Sequence, residues 1–243
     1  MPAELERTLI VMPALNEQAS VASVVEEVLS TLHGVTCLVI DDGSSDATAS
    51  EANRAGARVA QLPFNLGVGG AMRLGFRYAL DNGFDNVVQV DSDGQHYPSE
   101  VPTLLRHLEQ ADIVIGTRFS GDATYRVRGP RKWAMSLLAS VLSRIAHTKL
   151  TDTTSGFKAM GPRAVRLFAS NYPAEYLGDT IEALVIASKA GLRIVQVPTP
   201  MRERTTGKPS HNPLKSAVYL GRASLALLIG LLRPTARMPE GAA

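Results

Sequence analysis

Asp91 and Asp93 are the side chains in this 243-residue chain whose type and spacing point most directly to chemistry. They follow the apolar run Val87-Val88-Gln89-Val90 and precede Gly94, Gln95 and His96. Residues two apart in an extended segment project to the same side, so the two carboxylates can converge where the strand leaves its sheet. Hard anionic oxygens in that position suit Mg²⁺ or Mn²⁺ carrying a phosphate or diphosphate. The competing use is an acidic turn ahead of the helix that Pro98 opens. A second acidic group, Asp41-Asp42-Gly43-Ser44-Ser45-Asp46, also ends an apolar run. Adjacent carboxylates there face opposite ways, so one can look into a cleft and accept hydrogen bonds from a ribose or a base N–H, while Ser45 or Asp46 caps the next helix.

These groups need a scaffold, and the hydrophobic pattern supplies one. Thr8 to Met12, Cys37 to Ile40, Ala57 to Leu62, Asn86 to Val90 and Asp112 to Gly116 read as strands. Helical periodicity falls between them at Ala19 to Leu32, Ala47 to Ala55, Gly70 to Leu80 and Pro98 to Glu109. Alternation of this kind implies an α/β fold, with a mostly parallel central sheet flanked by helices and right-handed crossovers. Ligands of such sheets sit beyond the carboxyl ends of the strands. Pro13 to Glu17, Asp41 to Asp46 and Asp91 to His96 all occupy such ends. The glycine-rich stretch Asn65 to Met72 either lets a backbone approach a ligand or packs a helix tightly. It has Met72 where a dinucleotide fingerprint would need its last glycine, so it does not support a nicotinamide cofactor. Past Gly116 the alternation weakens into a less regular half, with a basic loop to Lys132, a long helix from Trp133, a helix near Thr180 to Ala190 and a strand at Arg193 to Val197.

Composition narrows the class. A hydrophobic content of 45% with 20% charged residues belongs to a folded chain, and a net charge of +2 does not call for nucleic acid. The lone Cys37 excludes a disulfide framework or a cysteine metal site and reads as a core residue. Met1 to Leu9 lacks the apolar stretch of a secretion signal. Near the end, Ala223 to Leu232 is apolar for ten residues between two arginines, too short to cross a bilayer, which takes about 20 in helical form. It can cover the core, pair with a second copy or lie on a membrane surface.

One signature rivals the metal reading of Asp91-Ser92-Asp93-Gly94: that of haloacid-dehalogenase-like phosphatases, which has threonine where this chain has Gln95. The ordered series is a better guide. Pro13-Ala14-Leu15-Asn16-Glu17, Val39 to Thr48, Asn65-Leu66-Gly67, Asp91 to Pro98 and Gly116-Thr117-Arg118 resemble the GT-A glycosyltransferases of family 2. Together with Thr151 to Lys158 they are most similar to its dolichyl- or polyprenyl-phosphate mannosyltransferase branch. The resemblance covers about residues 8 to 210 and implies a nucleotide-diphosphate-sugar donor, with GDP or UDP as the nucleotide. It puts Pro13, Leu15, Glu17, Ile40 and Asp42 around the nucleoside. Asp91, Asp93 and Gln95 would hold Mg²⁺ or Mn²⁺ against the diphosphate, with Ser92 beside the substrate. Arg118 and Arg131 would face phosphates, as would Arg204 and Lys208 on the loop Arg204 to Ser210. That loop carries one more residue before its serine than the branch's Arg-x-x-Gly-x-Ser-Lys.

The resemblance implies an inverting, metal-dependent hexosyltransferase acting on a polyprenyl or dolichyl phosphate at the cytoplasmic membrane face. The acceptor decides whether a base is needed. A lipid phosphate oxygen is already anionic, whereas a glycan hydroxyl must lose its proton to a carboxylate, and Asp179 or Glu182 stands where family members place that acid. Either is otherwise an ordinary acid in a first helical turn. A third reading is a non-catalytic nucleotide-sugar-binding subunit of a membrane complex. The expected organisation is a catalytic domain over 1–213, with a nucleotide part to about 118 and an acceptor part over 119–213, followed by a C-terminal helix and tail over 214–243. Expected partners are the sugar donor, the acceptor, a membrane surface or anchoring protein, and a second copy through the last helix.

Overall fold

The computed structural model describes residues 2–117, 140–152, 155–173 and 179–202. A first short helix, α1 (Pro2–Glu6), leads into β1 (Thr8–Ala14), α2 (Val21–Thr31), β2 (Thr36–Asp41), α3 (Thr48–Arg54) and β3 (Arg58–Gln61). These are followed by α4 (Gly67–Asp81), β4 (Asn86–Gln89), a 3₁₀ turn at Pro98–Glu100, α5 (Val101–His107) and β5 (Ile113–Thr117). After them come β6 (Lys158–Met160), α6 (Pro162–Asn171), α7 (Asp179–Lys189) and β7 (Ile194–Pro198).

The seven strands form one sheet in the order β3-β2-β1-β4-β6-β5-β7. β1 pairs in parallel with β2 and β4, β2 with β3, and β5 with β7, while β6 is antiparallel to both β4 and β5. This is the mostly parallel α/β sheet expected. The reversal of β6 has a consequence for the site: its beginning, not its end, lies with the carboxyl ends of the other strands. Residues 155–158 are thereby delivered to the crevice.

β1 is buried along its whole length, which is why it reads as an unbroken apolar run. Its alternate side chains feed two cores. Leu9 and Val11 join Leu38, Ile40, Val87 and Ile115 under α4, α6 and α7. Ile10 and Met12 join Val39, Val88 and Val114 under α2, α3 and α5. Gly75 lets α4 lie directly on the sheet, since a Cβ there would sit 2.6 Å from Val11 Cγ1. Phe76 then reaches Phe168 and Tyr172, with ring centroids 5.2 and 5.0 Å away, and ties α4 to α6.

The helix expected over Pro98 to Glu109 divides into a 3₁₀ turn and α5. Pro102 has no N–H to give the Pro98 carbonyl, and Val101 donates to it instead in the tighter pattern. α4 begins one turn earlier than its periodicity suggests, because its first amides find a cap far away in sequence. No helix among the described residues is long and apolar enough to cross a membrane. The segment 214–243, with the expected terminal helix, lies outside the described residues.

Candidate nucleotide-sugar site

The carboxyl ends of β1, β2 and β4 meet at one edge of the sheet, and their loops are bonded to one another. Asn16 turns the chain after β1 with φ +55°, a conformation asparagine tolerates better than most residues. Its N–H donates to Ser44 Oγ at 2.9 Å, and its Oδ1 accepts from Ser45 N at 2.9 Å. Glu17 N donates to Thr48 Oγ1 at 2.8 Å, so the Pro13 to Glu17 loop is clipped to the start of α3. Asp46 caps that helix, accepting from Thr48 N at 3.0 Å and from the Thr48 hydroxyl. Burial acts to raise the Asp46 pKa, but the Thr48 and Gln18 hydrogen bonds outweigh it and hold the carboxyl below its ordinary value.

Asp41 and Asp42 diverge as neighbours on an extended segment must. Asp41 accepts from Ser44 N at 3.0 Å and Gln61 Nε2 at 3.2 Å. Asp42 accepts from Leu66 N at 2.7 Å and Gly67 N at 2.8 Å, one backbone amide on each oxygen. It is the distant cap of α4, so the glycine-rich stretch serves the protein's own capping at Gly67 and close packing at Gly70, where a Cβ would sit 2.5 Å from Leu66 Cβ. Asp42 is buried, and each of its oxygens has one further lone pair beyond these bonds.

Ser92 ties the third loop to the first by donating to the Pro13 carbonyl at 3.1 Å. Asp93 Oδ1 accepts from Gln95 N at 3.1 Å, which tightens the turn. The Asp91 carboxylate is surrounded on several sides. Gln89 Nε2 donates to its Oδ1 at 3.2 Å, and His96 Nε2 stands 3.6 Å from its Oδ2. Gly156 closes another side: a Cβ at that position would meet Oδ2 at 2.5 Å and Oδ1 at 2.8 Å. The Asp91 side chain nonetheless remains 36% exposed.

These donors fit a divalent cation of the hard, oxygen-seeking kind. Among the described residues no group of three His, Cys, Asp or Glu is placed to enclose a metal unaided. By the chemistry of their oxygens, Asp91 and Asp93 suit Mg²⁺ or Mn²⁺, which bind through one or two carboxylates and complete their shell with water and substrate phosphates.

The segment after β7 braces this loop from the far side. His96 forms an antiparallel bridge with Met201, and Arg202 N donates to the Gln95 carbonyl at 2.9 Å. The Arg202 guanidinium grips Glu27 with two nitrogens, at 2.7 and 2.5 Å, and lies 4.2 Å from the centroid of the Tyr97 ring. The hydrogen-bonded Glu27 carboxylate raises the arginine's pKa above its ordinary value despite partial burial.

The structure redistributes several of the sequence-derived roles. Pro13 is paired within β1, Leu15 is exposed beyond it, and the Glu17 carboxylate accepts from Ser20 Oγ at 2.9 Å. The side chain of Ile40 is wholly buried against α4, facing the space at Gly75, so only its main chain is left toward the crevice. The Ser92 hydroxyl proton is committed to a loop cross-link. Gln95 Nε2 stands 3.5 Å from the Arg202 carbonyl, alongside the main-chain bond between the same two residues. Glu182 is 3% exposed on α7, and Asp179 opens that helix. Arg118, Arg131, Arg204 and Lys208 lie outside the described residues. Sequence reasoning passed over Asn16, Gln89, His96 and Gly156 as individual site residues. Asn16, His96 and Gly156 sit inside the motifs that carry the family resemblance, so their place in those motifs was the available signal.

Comparison with known proteins agrees with this geometry. Glycosyl transferase family 2 matches residues 9–168. An undecaprenyl-phosphate mannosyltransferase of Micrococcus luteus is 32% identical over 214 residues, covering 83% of this chain and 86% of the relative. A polyprenol monophosphomannose synthase of Mycolicibacterium smegmatis is 28% identical, covering 88% and 85%. Among solved structures, glucosyl-3-phosphoglycerate synthase of Mycobacterium tuberculosis in complex with Mn²⁺, UDP and glucosyl-3-phosphoglycerate superposes with a TM-score of 0.68 at 28% identity, covering 96% of this chain and 83% of that one. Fold, strand-end loops and sequence therefore agree that this chain belongs to glycosyl transferase family 2 and is a hexosyltransferase with a GT-A architecture.

Proposed function

We propose that this protein transfers a hexose, with inversion, from a GDP- or UDP-sugar to a polyprenyl phosphate at the membrane face. The observation that carries the proposal is the bonding of the β1, β2 and β4 loops into one edge, with the Asp41-Asp42 and Asp91-x-Asp93 pairs on adjoining loops. Two relatives named for undecaprenyl-phosphate or polyprenol mannosyl transfer, each matched over most of its length, supply the acceptor class.

In this reading Asp42, with its remaining lone pairs, accepts from the base or ribose, and the loop held by Asn16 shapes the nucleoside pocket. Asp91 and Asp93 are the residues that would hold Mg²⁺ or Mn²⁺. The bound cation would supply neutralisation of the charge that grows on the departing nucleoside diphosphate. A phosphate oxygen of the acceptor attacks the anomeric carbon from the side opposite the diphosphate, a new C–O bond forms, and the bond to the diphosphate oxygen breaks. Since that attacking oxygen is already anionic, no residue of the chain has to remove a proton from it.

The test is incubation of the purified protein with a panel of nucleotide sugars, Mn²⁺ and a short-chain polyprenyl phosphate, following nucleoside diphosphate and lipid-linked sugar together. Formation of both supports the proposal, and neither product with any donor refutes it. The likeness to a glucosyl-3-phosphoglycerate synthase favours a second reading, transfer to a hydroxyl with Asp179 or Glu182 as base. Asp179→Asn and Glu182→Gln separate the two: a phosphate acceptor tolerates both changes chemically, whereas a hydroxyl acceptor loses turnover with its base while the melting temperature holds.

A further inference from the structure

We infer that His96 and Gln89 are positioning residues that hold the Asp91 carboxylate in one orientation for the cation. This inference rests on the metal-dependent transfer reading above.

The geometry begins with a main-chain bond. Asp91 N donates to His96 Nδ1 at 3.1 Å, so Nδ1 presents a lone pair and the ring proton resides on Nε2. That Nε2–H stands 3.6 Å from Asp91 Oδ2. The separation is longer than a hydrogen bond, and the N–H dipole of the buried ring acts on the partly exposed carboxylate through space. The ring is only 4% exposed and has no freedom to turn away. It stacks on Phe157 with centroids 4.8 Å apart and planes 16° from parallel, and its main chain is bridged to Met201.

Gln89 completes the arrangement from the sheet. It is buried near the end of β4, and its amide donates to Asp91 Oδ1 at 3.2 Å. One N–H therefore addresses each carboxylate oxygen, while Gly156 leaves just enough room behind them. The remaining lone pairs are left for the exposed side, where a cation can approach. Outer groups of this kind fix the direction of a metal-binding side chain and remove the rotamer entropy it would otherwise lose on binding.

Three variants test the role in the full-length chain, with Mn²⁺ as the probe and its binding followed by electron paramagnetic resonance in the presence of GDP or UDP. His96→Asn keeps an acceptor near the Nδ1 position and loses the Nε2–H. His96→Gln carries an N–H at about the reach of Nε2. Gln89→Met keeps the side-chain length and loses the amide. Mn²⁺ affinity is expected to fall about tenfold in His96→Asn and Gln89→Met, the lower end of the range for such groups, and to be largely restored in His96→Gln. Unchanged affinity in Gln89→Met and His96→Asn overturns the inference. Equal losses in both His96 variants also overturn it, because they would assign the effect to ring stacking. If His96→Asn does not fold, Gln89→Met and His96→Gln still decide the matter. Failure of the unmodified protein to bind Mn²⁺ with either nucleotide refutes the metal-dependent reading itself, an outcome distinct from normal binding by the variants.

Discussion

Replacing Gly156 by alanine isolates the placement of Asp91 from the stability of the fold. The new Cβ would meet Asp91 Oδ2 at 2.5 Å, Oδ1 at 2.8 Å and Cγ at 3.0 Å, and no backbone atom is among these neighbours. Non-bonded heavy atoms settle at about 3.5 Å or more, so the carboxylate must retreat by roughly 1 Å. Its side chain can do so by leaving its preferred rotamer, at a cost of about 0.5–1.5 kcal/mol. For a chain of this length that corresponds to a fall of about 1–6 °C in Tm. Catalysis is more sensitive: a misplacement of about 1 Å costs on the order of 100-fold. That factor is about 2.7 kcal/mol in the activation barrier. Steady-state release of nucleoside diphosphate at saturating Mn²⁺, paired with thermal unfolding of the metal-free protein, measures both effects. Wild-type turnover in a folded Gly156→Ala protein would refute the argument that Asp91 needs its observed position. A collapse of Tm well beyond this range would show that the alanine is accommodated by the backbone instead.

Further expectations concern other parts of the same scaffold. Asp93→Ala should abolish Mn²⁺-dependent turnover while leaving the circular dichroism spectrum unchanged, and retained turnover would remove Asp93 from the metal site. Arg202→Ala removes a two-nitrogen grip on Glu27 and a stack on Tyr97, both partly exposed, so differential scanning calorimetry should register a loss of about 1 kcal/mol. A larger fall in activity than in stability would follow from slackening of the Gln95 loop that Arg202 braces. Burial pushes the Cys37 thiol up to about 12, so it carries almost no thiolate at pH 8 and should resist a disulfide reagent until the protein is unfolded. Stoichiometric labelling of the native protein would contradict its place in the core.

Buried parallel strands announce themselves as short apolar runs, and this made β1, β2, β4 and β5 legible to within a residue or two. Their order along the chain, with helices between, was enough for the α/β class. The acidic motifs stood out because carboxylates immediately follow apolar strands, and the structure gives Asp41, Asp42 and Asp46 backbone amides of the adjoining loops and helices as partners. β6 was not legible, since Lys158–Met160 is three residues long and carries no period. The true start of α4 was also hidden, because its cap is Asp42, 24 residues before Leu66. The packing of the Ile40 side chain was hidden for a related reason: a strand residue's address depends on which face of the sheet it takes, and its partner there is the gap at Gly75 on another element.

The sequence by itself determined the class of fold, the strand ends at which the acidic motifs stand and the family to which the chain belongs, because those properties are written in local pattern and in ordered motifs. The tertiary structure alone decided how the site is held. Asn16 binding the second loop, Ser92 reaching the Pro13 carbonyl, and Gln89, His96 and Gly156 surrounding Asp91 are contacts between segments or around a turn. The reversed strand β6 is what delivers Gly156 to Asp91. Side-chain direction and cross-chain proximity arise only when the sheet is assembled, so no periodicity within a single segment could reveal them.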